Sequence, residues 1–257
     1  MRNDSVVVVQ SRDNPLVKDL RRLAQDSTAY RKQGRIWVEG DHLCRAALER
    51  GWEPAIAVFA ESLWPAVPPE WARARRVVVV SDALFRELSG LESPARMGYV
   101  LDLPASPALL VDAPTLVLDR VQDAGNVGSM LRSAAAFGFR QVAALRGTAA
   151  LWSPKVLRAG MGAHFGLVLL ESLTVEALQV LRVPLLVTSS HEGDWVHTAQ
   201  LPWPCAWVMG HEGQGVSHAL MQRAQQRIRI AQPGGEESLN VAAAAAICLY
   251  ASVASRT

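Results

Sequence analysis

Three separated segments of this 257-residue chain each run from a hydrophobic strand pattern, through a loop of small or amide-bearing residues, into a helical pattern. They span Leu116 to Gly128, Ala206 to Gly215 and Ile228 to Asn240. Strand ends that turn through glycine before a helix leave backbone N–H groups free and place no Cβ in the way of a ligand. They are therefore the binding corners of α/β proteins. Three such corners carrying Asn126, Glu212, Ser238 and Asn240 predict one composite site.

The surrounding pattern predicts the scaffold. Strand signals at Val6–Val9, Ile36–Val38, Ala55–Phe59, Val77–Val80 and Met97–Leu103 alternate with helical stretches, the first opened by Asn14 as N-cap and Pro15 as N1. Ser81-Asp82 is read as the start of another short helix. From Pro104 to Pro114, three prolines among small residues read as a linker. The expected organisation is an N-terminal α/β domain over 1–104, a linker over 105–114 and a second domain over 115–257. In that second domain, continuous apolar strands are expected near 115–119, 141–145, 165–170, 184–188, 205–209 and 227–230. Helices fill the gaps, notably Val127–Phe137 and Leu239–Ala251. Uninterrupted apolar strands separated by helices predict a mostly parallel sheet with helices on both faces.

Composition narrows the class. Half the residues are hydrophobic, enough for a real core, yet no stretch approaches the roughly 18 to 20 apolar residues that a bilayer demands. A cytoplasmic protein without a membrane segment is expected. Cys44, Cys205 and Cys248 are odd in number and lack a Cys-x-x-Cys pair, so buried thiols are expected rather than disulfides or a metal centre. Net charge is only +2, but Ser11 to Arg35 holds seven cations against three anions. Such a stripe supplies sequence-independent attraction to phosphates, or else is simply a solvated helix face.

Each candidate residue carries a structural reading beside the chemical one. Asn126 sits where a helix N-cap belongs, with Gly138 placed to close the same helix at C′. Arg132, six residues on, falls on nearly the opposite side of an ideal helix. Glu212 stands between glycines, where a plain surface turn would as readily take Asp or Asn. Ser217 is read as the cap of the helix that follows. Ser238 or Asn240 caps a helix whose five consecutive alanines let another element approach closely. No phosphate loop, ordered dinucleotide fingerprint or zinc-protease motif is present, and the six histidines show no metal spacing.

The three segments together resemble the motifs of the SpoU–TrmH group of RNA ribose methyltransferases, within the SPOUT superfamily. The first is Asp123-Ala-Gly-Asn-Val-Gly-Ser-Met-Leu-Arg-Ser-Ala-Ala-Ala-Phe-Gly138, the second Val208-Met-Gly-His-Glu-Gly-Gln-Gly-Val-Ser217. The third is Ile230-Ala-Gln-Pro-Gly-Gly-Glu-Glu-Ser-Leu-Asn-Val-Ala-Ala-Ala-Ala-Ala246. Ser153 to Phe165 is similar to the family's connecting segment. More loosely, Ser11-Arg-Asp-Asn-Pro-Leu-Val-Lys18 and Trp37-Val-Glu-Gly40 resemble its small RNA-binding extension, which is related to a ribosomal protein fold. Departures are Ala124 where proline is usual, Gly160 where serine is common, and His211 where a small residue normally precedes the glutamate.

The resemblance implies an enzyme that moves a methyl group from S-adenosylmethionine to a ribose 2′-hydroxyl of RNA, ribosomal more than transfer. It implies a trefoil knot in the second domain, a homodimer and no metal. It assigns Asn126, Arg132, Glu212, Ser238 and Asn240 to the polar active site. Thr188, Gly210, Gly215, Ile230 and Leu239 are assigned to the cofactor cleft. Two rivals remain on the residues alone: a non-catalytic RNA-binding protein on this scaffold, and an unrelated nucleotide-binding enzyme.

Overall fold

The computed structural model describes residues 6–89, 93–189, 192–234, 238–254 and 256. His191 and the Gly235-Glu236-Glu237 stretch of the third motif lie outside the described residues. The chain forms two compact units, one of residues 1–105 with 152–165, the other of 106–151 with 166–257. Residues 152–165, expected in the second domain, thus pack with the first unit. No helix among the described residues is long and apolar enough to cross a membrane.

The first unit runs β1 (Val6–Val9), α1 (Pro15–Gln25), α2 (Ala29–Gln33), β2 (Arg35–Glu39), α3 (Asp41–Glu49), β3 (Ile56–Ala60), β4 (Arg76–Val80), α4 (Asp82–Leu88) and β5 (Met97–Asp102). As expected, the Asn14 side chain accepts from Leu16 N at 2.9 Å with Pro15 at the first helical position, and Ser81 Oγ caps α4. Among the described residues five strands pair in the order β1-β4-β3-β5-β2, with β5 antiparallel to both its neighbours. Helix α1 buries Val17, Leu20, Leu23 and Ala24, an i, i+3, i+6, i+7 stripe, and leaves its arginines outward. The Ala29–Gln33 turn of helix was not anticipated, its five residues being too short to show a period.

The second unit contains β6 (Thr115–Leu118), α5 (Ala124–Ala136) and β7 (Gln141–Leu145). Helix α6 (Pro154–Gly160) then belongs to the first unit. The second resumes with β8 (Val168–Leu173), β9 (Leu185–Thr188), β10 (Asp194–Trp195), β11 (Ala206–Met209), α7 (His218–Arg223), β12 (Gln226–Arg229) and α8 (Val241–Ala254). Strand β8 starts three residues later than the sequence suggests. Phe165 is apolar because it packs edge-on against Trp52 at 5.4 Å in the first unit, not because it belongs to a strand.

All the paired strands of this second sheet are parallel, in the order β10-β12-β9-β11-β6-β7-β8. Side chains alternate between its faces with period two. Val117, Ala143, Val187 and Val208 point to one face and pack with Leu220 of α7. Trp207, on the opposite face, is fully buried and donates its indole N–H to Ser252 Oγ of α8 at 2.8 Å. Both faces are thus covered by helices, which is why these strands read as unbroken apolar runs.

Candidate active site

Strand β6 lies between β7 and β11, so the chain leaves it toward one edge of the sheet and later fills the other. At such a switch point the loops beyond neighbouring strand ends diverge and open a crevice. The loops after β6 and β11 meet there, and the residues that join them come from both.

After β6, Asp119 is only 2% exposed and Arg120 adopts a left-handed backbone, φ +60°. Helix α5 is capped by Asp123, whose carboxylate accepts from Asn126 N at 2.7 Å. This corrects the reading of Asn126 as the cap. The cap lies three residues earlier, so Asn126 sits in the first turn with its carboxamide free for other partners. At the far end Gly138, φ +77°, stands at the expected C′ position. There its N–H reaches Ala135 O while Phe139 N–H reaches Ala134 O.

After β11 the chain makes a tight turn. His211 and Gly215 exchange both backbone hydrogen bonds, and a Cβ on Gly210 would lie 2.2 Å from the Gly215 carbonyl carbon, so only glycine fits. His211 Nδ1 accepts from Gly213 N and Gln214 N at 3.0 and 3.2 Å, which makes the imidazole a brace for the turn. Ser217 occupies the N-cap position of α7, yet its hydroxyl makes no capping bond. Instead its N–H donates to Asp119 Oδ2 at 2.6 Å.

Glu212, at the tip of this turn, reaches across to the first loop. Its carboxylate accepts from Gln122 N at 3.2 Å, Asp123 N at 3.0 Å and Asn126 Nδ2 at 3.2 Å. Partial burial pushes the carboxyl upward, but the hydrogen bonds from Asp123 N, its own N–H, Gln122 N and the Asn126 amide outweigh that and hold it below the ordinary glutamate value. Glu212 is therefore an anion at neutral pH and acts as an acceptor.

The third loop joins through Asn240. Its Nδ2 donates to Asn126 Oδ1 at 3.0 Å, while its Oδ1 accepts from Ala242 N and Ala243 N and so caps α8. Glu212, Asn126 and Asn240, from three loops, thus form one chain of hydrogen bonds. Arg132 and Ser238 stand outside it. Both are exposed, and their side chains make no hydrogen bond among the described residues.

The residues assigned to a cofactor lie beyond the carboxyl ends of three adjacent strands. Thr188 ends β9 and donates to Val208 O at 3.4 Å, while Gly210 and Gly215 form the turn after β11. Ile230 follows β12 half-buried, and Leu239 is 39% exposed. Two further atoms there, Ser217 Oγ and Gln232 Oε1, are buried without a partner among the described residues. Orphaned polar atoms beside uncovered apolar surface suit a ligand with both a polar edge and an apolar face, as an adenosine has.

Asp119, Arg120, Asp123 and Gln214 were missed as site residues. For Asp123 a signal existed, since an acidic residue three positions before the first turn's last residue is an N-cap pattern. For Arg120 and Gln214, joined Nη1 to Oε1 at 2.9 Å across 94 residues, the sequence holds no local cue.

Comparison with known proteins agrees with this geometry. Residues 113–250 match the SpoU rRNA Methylase family, and residues 14–97 match an MRM3-like substrate binding domain. The chain is 30% identical over 246 residues to the 23S rRNA (guanosine(2553)-2′-O)-methyltransferase RlmP of Bacillus subtilis, covering 94% of this chain and 97% of that one. It superposes on an AdoMet-bound rRNA methyltransferase from Sinorhizobium meliloti with a TM-score of 0.86 at 26% identity, covering 98% and 99%. A TrmH-family structure from Porphyromonas gingivalis gives 0.82 at 32% identity, over 93% and 97%. The chain belongs to the SpoU rRNA methylase family, RNA 2′-O-ribose methyltransferases that draw their methyl group from S-adenosylmethionine.

Proposed function

We propose that this protein methylates a ribose 2′-hydroxyl in ribosomal RNA, working as a homodimer. The observation that carries the reading is the Glu212–Asn126–Asn240 chain, which ties all three motif loops into one cleft wall. Ribosomal RNA is favoured over transfer RNA by the family matched and by two relatives that are 23S rRNA methyltransferases, RlmP and the RlmB of Bordetella pertussis, the latter 37% identical over 161 residues.

Bound S-adenosylmethionine supplies an electrophilic methyl group on a good leaving group. Thr188, Gly210, Gly215, Ile230 and Leu239 are the residues we assign to hold it. The protein's own task is to fix the ribose hydroxyl at reacting distance and to handle the charge that grows on its oxygen. Asn126 keeps one amide N–H beyond the one given to Glu212 and is placed to orient the sugar. Glu212, held anionic, fixes Asn126 and the first loop rather than taking a proton, and Asn240 fixes Asn126 from the other side. Arg132, whose guanidinium has no partner among the described residues, anchors the substrate phosphate and stabilises the charge left on the ribose oxygen as its proton passes to solvent water. A guanidinium pKa above about 12 makes it a poor base. Ser238 we assign to the same wall.

The dimer rests on α8. Ile247 and Tyr250 are 39% and 58% exposed on a helix that carries five consecutive alanines in its first half, and Tyr250 meets Phe137, the C-cap residue of α5, edge-on at 5.7 Å. The expected trefoil threading is supported by the strand order: β12 pairs between β9 and β10, although those two strands are joined directly through residues 189–193.

The test is methyl transfer to ribosomal RNA, with ribose methylation mapped, alongside calorimetry with adenosylhomocysteine. Arg132→Ala is expected to abolish turnover while the calorimetric affinity stays unchanged. Loss of both together would contradict the assignment.

A further inference from the structure

Arg120 combines features that a merely structural residue would not need together. It occupies φ +60°, where a side chain costs energy that a glycine would not, and such strain persists where the side chain's placement is useful. Its backbone is held by Arg120 N donating to Thr148 Oγ1 at 3.2 Å. Its guanidinium is held twice, by Nε donating to the buried Asp119 carboxylate at 3.0 Å and by Nη1 donating to Gln214 Oε1 at 2.9 Å. A guanidinium has five N–H donors, so three remain undonated among the described residues, on a side chain still 34% exposed.

The electrostatics of the cleft give those donors a purpose. Three carboxylates cluster at the switch point, Asp123 and Glu212 at its surface and Asp119 buried behind them. A phosphodiester approaching it needs compensating charge, and between residues 115 and 138 the cations are Arg120 and Arg132 alone. The Arg132 side chain rides on the exposed side of α5 without a hydrogen-bond partner among the described residues, whereas Arg120 is preset by its two anchors in the fork geometry that recognises phosphate.

We propose that Arg120 binds a backbone phosphate of the RNA substrate next to the ribose that is methylated, with Asp119 and Gln214 presenting its guanidinium. The inference rests on the reading above that RNA enters this cleft. Arg120 then supplies a charge contact distinct from that of Arg132, and one that carries no sequence information.

The experiment measures the affinity of a ribosomal RNA fragment against salt concentration, for the wild type, Arg120→Gly and Gln214→Ala. Glycine suits the left-handed backbone, so Arg120→Gly removes the cation without strain. Losing one phosphate contact is expected to weaken RNA binding about tenfold at low salt. It should also flatten the slope of log affinity against log salt by about 0.7 to 0.9. Gln214→Ala keeps the cation and is expected to keep the wild-type slope. Adenosylhomocysteine affinity is expected to be the same in all three proteins. An unchanged slope in Arg120→Gly would overturn the proposal. So would a fall in adenosylhomocysteine affinity alongside the loss of RNA binding, since that would make Arg120 a structural brace. A wild type giving no heat with adenosylhomocysteine would defeat the methyltransferase reading while leaving the salt comparison to judge Arg120.

Discussion

Glu212 shows at the residue scale how one side chain organises a cleft. Its carboxylate satisfies two backbone N–H groups and one amide from a loop about 90 residues away, and these hold its acidity below the ordinary glutamate value despite partial burial. A carboxyl with a lowered folded-state pKa contributes stability above its unfolded value of about 4.3, and loses it as pH falls through the folded value. Glu212→Gln is therefore expected to lower the denaturation midpoint at neutral pH. The gap to the wild type should close as pH drops below about 4. A gap that persists unchanged at pH 3 would show that shape rather than charge does the holding. Asn126 illustrates what sequence could and could not say. Its importance is legible from its place after a strand, but the sequence leaves a cap and an active-site role both open, because cap and first-turn positions differ by only a few residues. The actual cap, Asp123, frees it to pair with Asn240.

Elements were the most legible level, because their signals are local. The Asn14-Pro15 start of α1, the Ser81 cap of α4 and the Gly138 stop of α5 lie within a turn of the residues they control. Legibility fails where a residue's character serves something other than its own element, as with Phe165 and the start of β8. Helix α8 shows the same limit in its packing. Its alanine run announces close approach, but the Ser252 hydroxyl that takes the Trp207 indole N–H is invisible before folding. Ser252→Ala leaves that buried donor without a partner and is expected to cost about 1–3 kcal/mol, read as a shift in the denaturant midpoint at constant m-value. A change within about 0.3 kcal/mol would mean that the indole finds another acceptor.

At the scale of the whole molecule, the parallel sheet with its reversal of strand order brings the three motif loops to one end. Exposed Ile247 and Tyr250 on α8 form the apolar surface on which the proposed dimer rests. Tyr250→Asp is expected to shift the light-scattering mass at micromolar concentration from dimer to monomer, because a charge buried in such an interface has no partner. A wild type that is already monomeric at that concentration would refute the dimer. By itself the sequence determined the alternation of strands and helices, the class of fold and the three loops that matter, since periodicity, caps and glycine conformations act over a few residues. Only the tertiary structure decided which polar groups meet: Asn126 with Asn240 across 114 positions, Arg120 with Gln214 across 94, and residues 152–165 with the first unit. Those partnerships depend on strand order, which no local pattern of side chains encodes.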